Sequence, residues 1–215
     1  MDIWTEKLFQ DRSNTMLYSA AKRGVDIVGA LAGLALIAPI APIIAVAIKL
    51  ESKGSVLVTL PRVSRGKLIN VYKFRSMIDG AHAMKTELTH LNERIDGPFF
   101  KMRHDPRVTR VGRIIRKFRF DEFPQLLNVL KGDLSLVGPR PHEVEEIIHY
   151  PHPYKHLMLA KAGVTGLSQI NGASSLPFLK ELEYDSGYLE EQSLSLDVQI
   201  IAKTLGIFFR DHNAV

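Results

Sequence analysis

Apolar positions follow two regimes along this chain. From Ile27 to Ile48, twenty-two consecutive residues carry no charged or hydrogen-bonding side chain. That run matches the roughly 20 residues a helix needs to cross a bilayer. Pro39 and Pro42 interrupt it, each lacking an amide hydrogen and clashing with the carbonyl four residues back, here Ala35 and Ala38. A bend is therefore predicted near the middle. The stretch from Ile27 to Ala38 rises only about 18 Å as helix, against about 30 Å of hydrocarbon. Basic residues flank both ends, with Lys22 and Arg23 before and Lys49, Lys53, Arg62, Arg65 and Lys67 after. Because Lys and Arg mark the cytoplasmic side of a span, two basic flanks predict entry and exit through one leaflet. Residues 22–53 then form a re-entrant helix pair. A kinked span is the competing reading, and no second apolar segment returns the chain. Residues 1–21, with Glu6, Lys7, Asp11 and Arg12, are too charged to span and suit the membrane interface. A signal peptide is not expected, although Ala45-Val46-Ala47 formally fits a cleavage site, since the apolar run is too long and about twenty residues precede it.

Beyond residue 54 the periods shorten. Val56 to Leu60 and Leu68 to Phe74 read as the strands of a hairpin around Pro61 to Lys67. Met84, Leu88, Leu91 and Ile95 recur at helical spacing and predict an amphipathic helix over 81–95. Thr109 is placed to cap a helix with Val111, Ile114, Ile115 and Phe118 inward. A short helix opens at Asp121 and stops near Gly132, burying Leu126, Leu127 and Leu130. Ser135 to Val137 leads into the stiff turn Gly138-Pro139-Arg140-Pro141. A turn and strand over Gly163 to Gly172 and a terminal helix from about Leu196 follow. With no repeat and no linker, residues 54–215 read as one compact domain.

Composition narrows the chemistry. Cys is absent, which removes disulfides, thiolate metal sites and cysteine nucleophiles. A net charge of +5 favours an anionic partner. That charge is concentrated between residues 101 and 119, where eight Lys and Arg face the single acid Asp105. Directly after this stripe come Asp121 and Glu122. Helix capping explains such a pair on its own. Lying between Arg116 and Arg140, the same pair also supplies what phosphoryl transfer needs, namely cations for the equatorial oxygens and a nucleophile in line. A carboxylate can be that nucleophile, forming an acyl phosphate.

The motifs Lys73-Phe74-Arg75-Ser76-Met77, Asp105-Pro106-Arg107, Asp121-Glu122-Phe123-Pro124-Gln125-Leu126, Asn128 to Asp133, Leu136 to Pro141 and Gly163-Val164-Thr165-Gly166 occur in order. In these the chain resembles the bacterial sugar transferases, the monotopic polyprenyl-phosphate phosphoglycosyl transferases. The likeness extends from Lys22 to the terminal helix. It implies an α/β fold, a small, mainly helical domain on the cytoplasmic membrane face with a short β-hairpin, anchored by one proline-broken re-entrant helix. It implies a nucleotide sugar donor, commonly a UDP-sugar, a polyprenyl phosphate acceptor, undecaprenyl phosphate, and Mg2+ as cofactor. In this resemblance Asp121 takes the nucleophile's place and Glu122 that of its metal-associated partner. Lys73, Arg116 and Arg140 fall at phosphate positions, Asp185 at a further carboxylate, and Pro39 at the helix break; Arg75 is a candidate for holding substrate, with a bridge to an acid as its other reading. Two positions depart from the family pattern: Ala38 stands where Ser is usual before the breaking proline, and Ala173 where Arg is usual.

Two other function classes remain open to the sequence. A non-catalytic module binding anionic lipid headgroups explains the anchor and the basic stripe but not the paired acids beside it. Nucleic-acid binding explains the stripe but not the apolar segment, so no nucleic acid is expected as partner. His149, His152 and His156 do not read as a metal site, because Pro151 and Pro153 break the helix that would align them. His142-Glu143 lacks the second histidine of a zinc-protease motif. The sequence leaves a homo-oligomer open.

Overall fold

The computed structural model describes residues 16–172 and 175–210. Of the expected interfacial segment 1–21, residues 1–15 lie outside these residues, as does Ala173, and 16–21 open the first helix. Helix α1 (Met16–Ile37) and helix α2 (Ala41–Glu51) meet at a 60° bend. Pro39 lies in the break, where Ile40 N–H bonds to the carbonyl of Ile37 instead of continuing the helix. Pro42 stands in the first turn of α2, where a missing amide hydrogen costs nothing. The bend is thus produced by Pro39, and Pro42 starts the second helix. No single described helix is long and apolar enough to cross a membrane, whereas the bent pair together meets the length and composition.

The first half of α1 is polar on the side facing the domain and is tied to it. Lys22 Nζ reaches Asp197 at 2.6 Å, and the Arg23 guanidinium donates to the carbonyls of Val129 and Leu130 at 2.5 and 2.6 Å. Buried Asp26 accepts from the Ser135 hydroxyl and the Leu136 N–H at 2.8 and 2.7 Å. Lys22 and Arg23, read above as a basic flank of the apolar run, therefore also work as internal fasteners. Further along, Ala30, Ile37, Ile44 and Ile48 are buried, while Val28, Leu31, Leu36, Ile43, Val46 and Leu50 remain exposed.

Strands β1 (Leu57–Ser64) and β2 (Lys67–Phe74) form an antiparallel hairpin with Leu57 opposite Phe74 and Ser64 opposite Lys67. The connection is shorter than the sequence suggests, only Arg65-Gly66, and Pro61 lies within β1 opposite Asn70. The free edge of β2 is closed by a side chain. Asn128 accepts from Tyr72 N–H at 2.9 Å and donates to the Asn70 carbonyl at 2.7 Å, imitating a neighbouring strand.

The helix predicted over 81–95 does not form. Two single 3-10 turns, Ala83–Lys85 and Thr89–Leu91, take its place, and Ile95 is 97% exposed. The cause lies in Asn92, whose side chain accepts from the N–H groups of Arg94 and Lys101 and donates to the Phe99 carbonyl. Such local bonds offer the backbone an alternative to helix.

Helix α3 (Arg110–Lys117) carries the expected Thr109 cap, whose hydroxyl oxygen accepts from Gly112 N–H at 2.8 Å. Glu51, at the end of α2, adds a second cap by accepting from the N–H groups of Arg110 and Val111 at 2.7 and 2.8 Å. Gly112 permits a close approach, since a Cβ there would sit 1.9 Å from the Ser76 carbonyl oxygen. The buried stripe of α3 is narrower than predicted. Ile115 packs with Ile37, Ile44, Ile48 and Phe74, but Ile114 is 58% exposed. Helix α4 (Gln125–Lys131) buries Leu126 and Val129 and exposes Leu127, which the sequence pattern placed inside.

Strand β3 (Ser135–Val137) pairs in parallel with β4 (Gly163–Thr165) on either side of the Pro139-Pro141 turn. Between them stand α5 (Val144–Ile147) and a 3-10 segment from His152 to Leu159. Helices α6 (Leu167–Ile170), α7 (Phe178–Glu190) and α8 (Leu194–Arg210) complete the fold. Phe99, Tyr150, Leu157, Phe178 and Leu182 pack one core, and Val137, Tyr188 and Ile200 another. The fold is mostly helical with a small hairpin.

Candidate active site

Lys73 lies one residue from the end of β2, and Asp121 and Glu122 lie on the 3-10 turn Phe120–Glu122. Arg119 brings these elements together. It adopts φ 52°, a left-handed conformation that a non-glycine residue rarely takes, and so turns the chain sharply out of α3. The carboxylates consequently face β2. Lys73 Nζ lies 2.7 Å from Glu122 Oε1 and 3.9 Å from Asp121 Oδ2, so one ammonium serves both acids.

The two carboxylates differ in environment. The Asp121 side chain is only 11% exposed, whereas that of Glu122 is 39% exposed. Burial, reinforced by the neighbouring Glu122 charge, pushes the Asp121 carboxyl up to about 6 even though Lys73 and Arg116 pull it down. Burial also acts on Glu122, but Lys73, by charge and hydrogen bond, together with Arg140 and Arg119, holds it below the ordinary carboxylate range. Near neutral pH the pair thus offers one committed anion and one buried carboxylate that ionises close to the working range. That second property suits a nucleophile, because a poorly solvated oxygen attacks more readily than a fully hydrated one.

Arg116 is half-buried at the end of α3. Its Nε donates to the Ser76 hydroxyl at 2.8 Å, and its charge acts on Asp121. The charge of Arg140 acts on Glu122, and its guanidinium lies 5.8 Å from the Phe99 ring centroid. Lys73, Arg116 and Arg140 therefore share one field with the carboxylate pair. Two other predicted site residues are placed differently. The Arg75 guanidinium is buried and donates to the carbonyls of Ser52 and Lys53, so it clamps the turn after α2 rather than facing the acids. Gly54 completes that clamp at φ 110°, where a Cβ would meet Arg75 Nη1 at 2.2 Å. Asp185 is buried in α7 and accepts the backbone N–H of Arg140 at 2.9 Å. It supports the Arg140 loop from behind.

The Asp105-Pro106-Arg107 motif is likewise a scaffold. Arg107 donates to both Asp105 oxygens at 2.9 and 2.6 Å and to the Ala81 carbonyl at 3.2 Å. A cavity of about 390 Å³ lined in part by Arg94, Asp96, Lys101, Arg103 and Leu176 shares no lining residue with the carboxylate pair. Sequence reasoning missed Arg119 as a backbone hinge, and it missed the buried neighbours of Arg140, His142 and Glu181. The recurrence of Glu181 and Asp185 four residues apart on α7 is the one signal that points to them.

Among the described residues no group of three or more His, Asp or Glu side chains converges as a metal cluster. Mg2+ needs less from a protein, commonly one or two carboxylates with substrate phosphates and water completing the shell. The partly exposed Glu122 carboxylate fits that donor set.

Galactosyl transferase CpsE of Streptococcus agalactiae is 41% identical over 189 residues, covering 87% of this chain and 42% of its own length. A UDP-N-acetylgalactosamine-undecaprenyl-phosphate N-acetylgalactosaminephosphotransferase of Aeromonas hydrophila is 37% identical over 198 residues, covering 88% of this chain and 44% of its own. Exopolysaccharide production protein ExoY of Rhizobium meliloti is 33% identical, with 86% of this chain and 84% of its own length aligned. The chain thus spans about two-fifths of CpsE and of the Aeromonas protein and most of ExoY. The sequence profile described as Bacterial sugar transferase matches residues 17–211, and the chain belongs to that family.

Proposed function

We propose that the chain transfers a sugar 1-phosphate from a nucleoside diphosphate sugar, a UDP-sugar, to undecaprenyl phosphate, releasing the nucleoside monophosphate. The observation that carries this reading is the single Lys73 ammonium between a buried and a partly exposed carboxylate. In a first step an Asp121 oxygen attacks the phosphorus bearing the sugar. The bond from that phosphorus to the bridging oxygen breaks, and the nucleoside monophosphate departs with the electron pair. Lys73, Arg116 and Arg140 orient the diphosphate and offset its charge. In a second step a phosphate oxygen of the lipid attacks the acyl phosphate and Asp121 is released as carboxylate. Glu122 would hold Mg2+, which supplies charge neutralisation on the diphosphate when bound.

The bent pair α1–α2 supports a re-entrant anchor in the cytoplasmic membrane. Its outer face is apolar, and both its ends are fastened to the same domain, at Lys22, Arg23 and Asp26 on one side and at Glu51, Ser52 and Lys53 on the other. A bilayer cannot pass between two ends held on one body. The anchor would set the carboxylates at headgroup depth, where the lipid phosphate lies, and positioning of this kind lowers a barrier by several kcal/mol.

The test is to incubate lipid-embedded protein with a panel of nucleotide sugars and Mg2+, without acceptor, and to weigh the intact chain. A mass increase of one sugar phosphate, discharged on adding undecaprenyl phosphate, is expected. Turnover that requires donor and acceptor together, with no adduct from any donor, overturns the two-step reading.

A further inference from the structure

Arg140 is held from behind by a buried chain of polar groups that the reading above leaves without a role. Two acids one turn apart on α7 divide the task. Asp185 accepts the Arg140 backbone N–H at 2.9 Å, and Glu181 Oε1 lies 3.6 Å from Arg140 Nη1. Glu181 is 0% exposed. The same Oε1 accepts from His142 Nε2 at 3.0 Å, and the other ring nitrogen of His142 meets the Tyr150 hydroxyl.

Proton placement along this chain is dictated by chemistry. Burial and the charges of Asp185 and Glu181 keep the Tyr150 phenol protonated, so Tyr150 donates to His142 Nδ1. The proton of His142 then sits on Nε2 and points at Glu181. Burial disfavours the Glu181 anion, yet the His142 bond and the Arg140 charge prevail and hold its carboxyl below the ordinary range. The second oxygen, Oε2, is buried without a hydrogen-bond partner among the described residues. A buried carboxylate satisfied on one oxygen only is costly as a structural device. Its charge is answered by His142, by Arg140 in ion-pair contact at 3.6 Å, and by Arg94, and of these Arg140 is the one whose charge also acts on Glu122.

We infer that Glu181 and His142 are positioning residues that lock the Arg140 side chain in the direction of the Asp121–Glu122 pair. Tyr150 sets the His142 tautomer, His142 orients the Glu181 carboxylate, and Glu181 orients the guanidinium. The Phe99 ring, 5.8 Å from Arg140 Cζ and 5.1 Å from the His142 ring, closes the side of this chain. The inference rests on the phosphoryl-transfer reading for what Arg140 does, but not for how Arg140 is held.

The experiment uses the full chain in lipid nanodiscs and two readouts. One is the rate of adduct formation from a UDP-sugar; the other is the order of the Arg140 Nε–H group by nitrogen relaxation, its resonance assigned by its loss in Arg140→Ala. Glu181→Gln is expected to slow the rate tenfold or more and to mobilise Arg140. In an Arg140→Ala background the same change should add less than twofold, because its target is gone. His142→Ala should match Glu181→Gln, while His142→Gln, whose amide can replace Nε2–H, should retain most of the rate. This histidine pair carries the test if Glu181→Gln does not fold. Fully multiplicative effects with Arg140→Ala, or an unchanged Arg140 order in Glu181→Gln and in His142→Ala, overturn the inference. Absence of any adduct in the wild-type protein, with Arg140 order still lost in Glu181→Gln and in His142→Ala, sinks the function and leaves the inference standing.

Discussion

At the scale of single residues, the site depends on unequal treatment of two adjacent acids. Asp121 is buried and pushed up to about 6, so its charged form is disfavoured in the fold relative to water. For an acid so raised, the folded protein holds its proton more tightly than the unfolded chain does. Stability therefore falls as pH rises from about 4 towards 6 and stays lowered above. Replacing the carboxylate with a neutral isostere removes that penalty. Asp121→Asn is expected to abolish adduct formation and turnover while raising unfolding free energy at pH 7 by up to about 3 kcal/mol. Denaturant titration beside the mass assay measures both, and a variant that loses stability contradicts the electrostatic account. The proposed attack needs the Asp121 anion, so the rate should fall as pH drops through about 6. Lys73 pulls Asp121 down, so Lys73→Met should move that limb to higher pH as well as lower the plateau. A limb that stays in place would show that Lys73 does not govern the ionisation of Asp121.

At the scale of elements, the site is held by side chains that complete the hydrogen bonding of a neighbour's backbone. Asn128 closes the open edge of β2 beside Lys73, and Glu51 with Thr109 caps the helix that ends in Arg116. Asn128→Ala would leave Tyr72 N–H and the Asn70 carbonyl without their buried partner. Since each unsatisfied group costs about 1–3 kcal/mol, a loss of roughly 2–4 kcal/mol is expected by chemical denaturation. A loss below about 0.5 kcal/mol would mean that water replaces Asn128 freely, as at an ordinary surface site. Glu51→Ala should be milder, about 1 kcal/mol, as for other helix caps. These devices were not legible in the sequence. Asn128 and Glu51 have no local signature, because their partners lie 56 and 59 residues away. Thr109 was legible because its partner is three residues on. The failed helix over 81–95 has the same explanation from the other side. Its apolar spacing was correct for a helix, but Asn92 supplies bonds to a loop that periodicity does not record.

At the scale of the whole molecule, the apolar run and its proline break were written plainly in the chain, and so was the order of motifs. What the run is fastened to was not. The sequence assigns Lys22 and Arg23 to the membrane surface, yet both are engaged by the domain, and the neighbouring Asp26 is buried against β3. This changes the argument for topology from one of charge to one of attachment. Both ends of the bent pair are bound to the same body, one through Lys22, Arg23 and Asp26, the other through the Glu51 cap and the Arg75 clamp. For the proposed re-entrant anchor, entry and exit on one face then follow whatever the surface charge. The chain contains no Cys, so single introduced thiols report without background. In inverted membrane vesicles a membrane-impermeant maleimide should label Ala20→Cys and Lys53→Cys alike, whereas intact spheroplasts should give neither. Leu36→Cys and Ile43→Cys, on the exposed apolar face of the bend, should resist the reagent from both sides until detergent is added. Labelling of Ala20→Cys and Lys53→Cys from opposite sides would require the domain to release one end of the pair. Removing flanking charges outside the two attachments, as Arg65→Met and Lys67→Met, is expected to leave a folded protein's labelling pattern unchanged, and an inverted or scrambled pattern would show that charge governs instead.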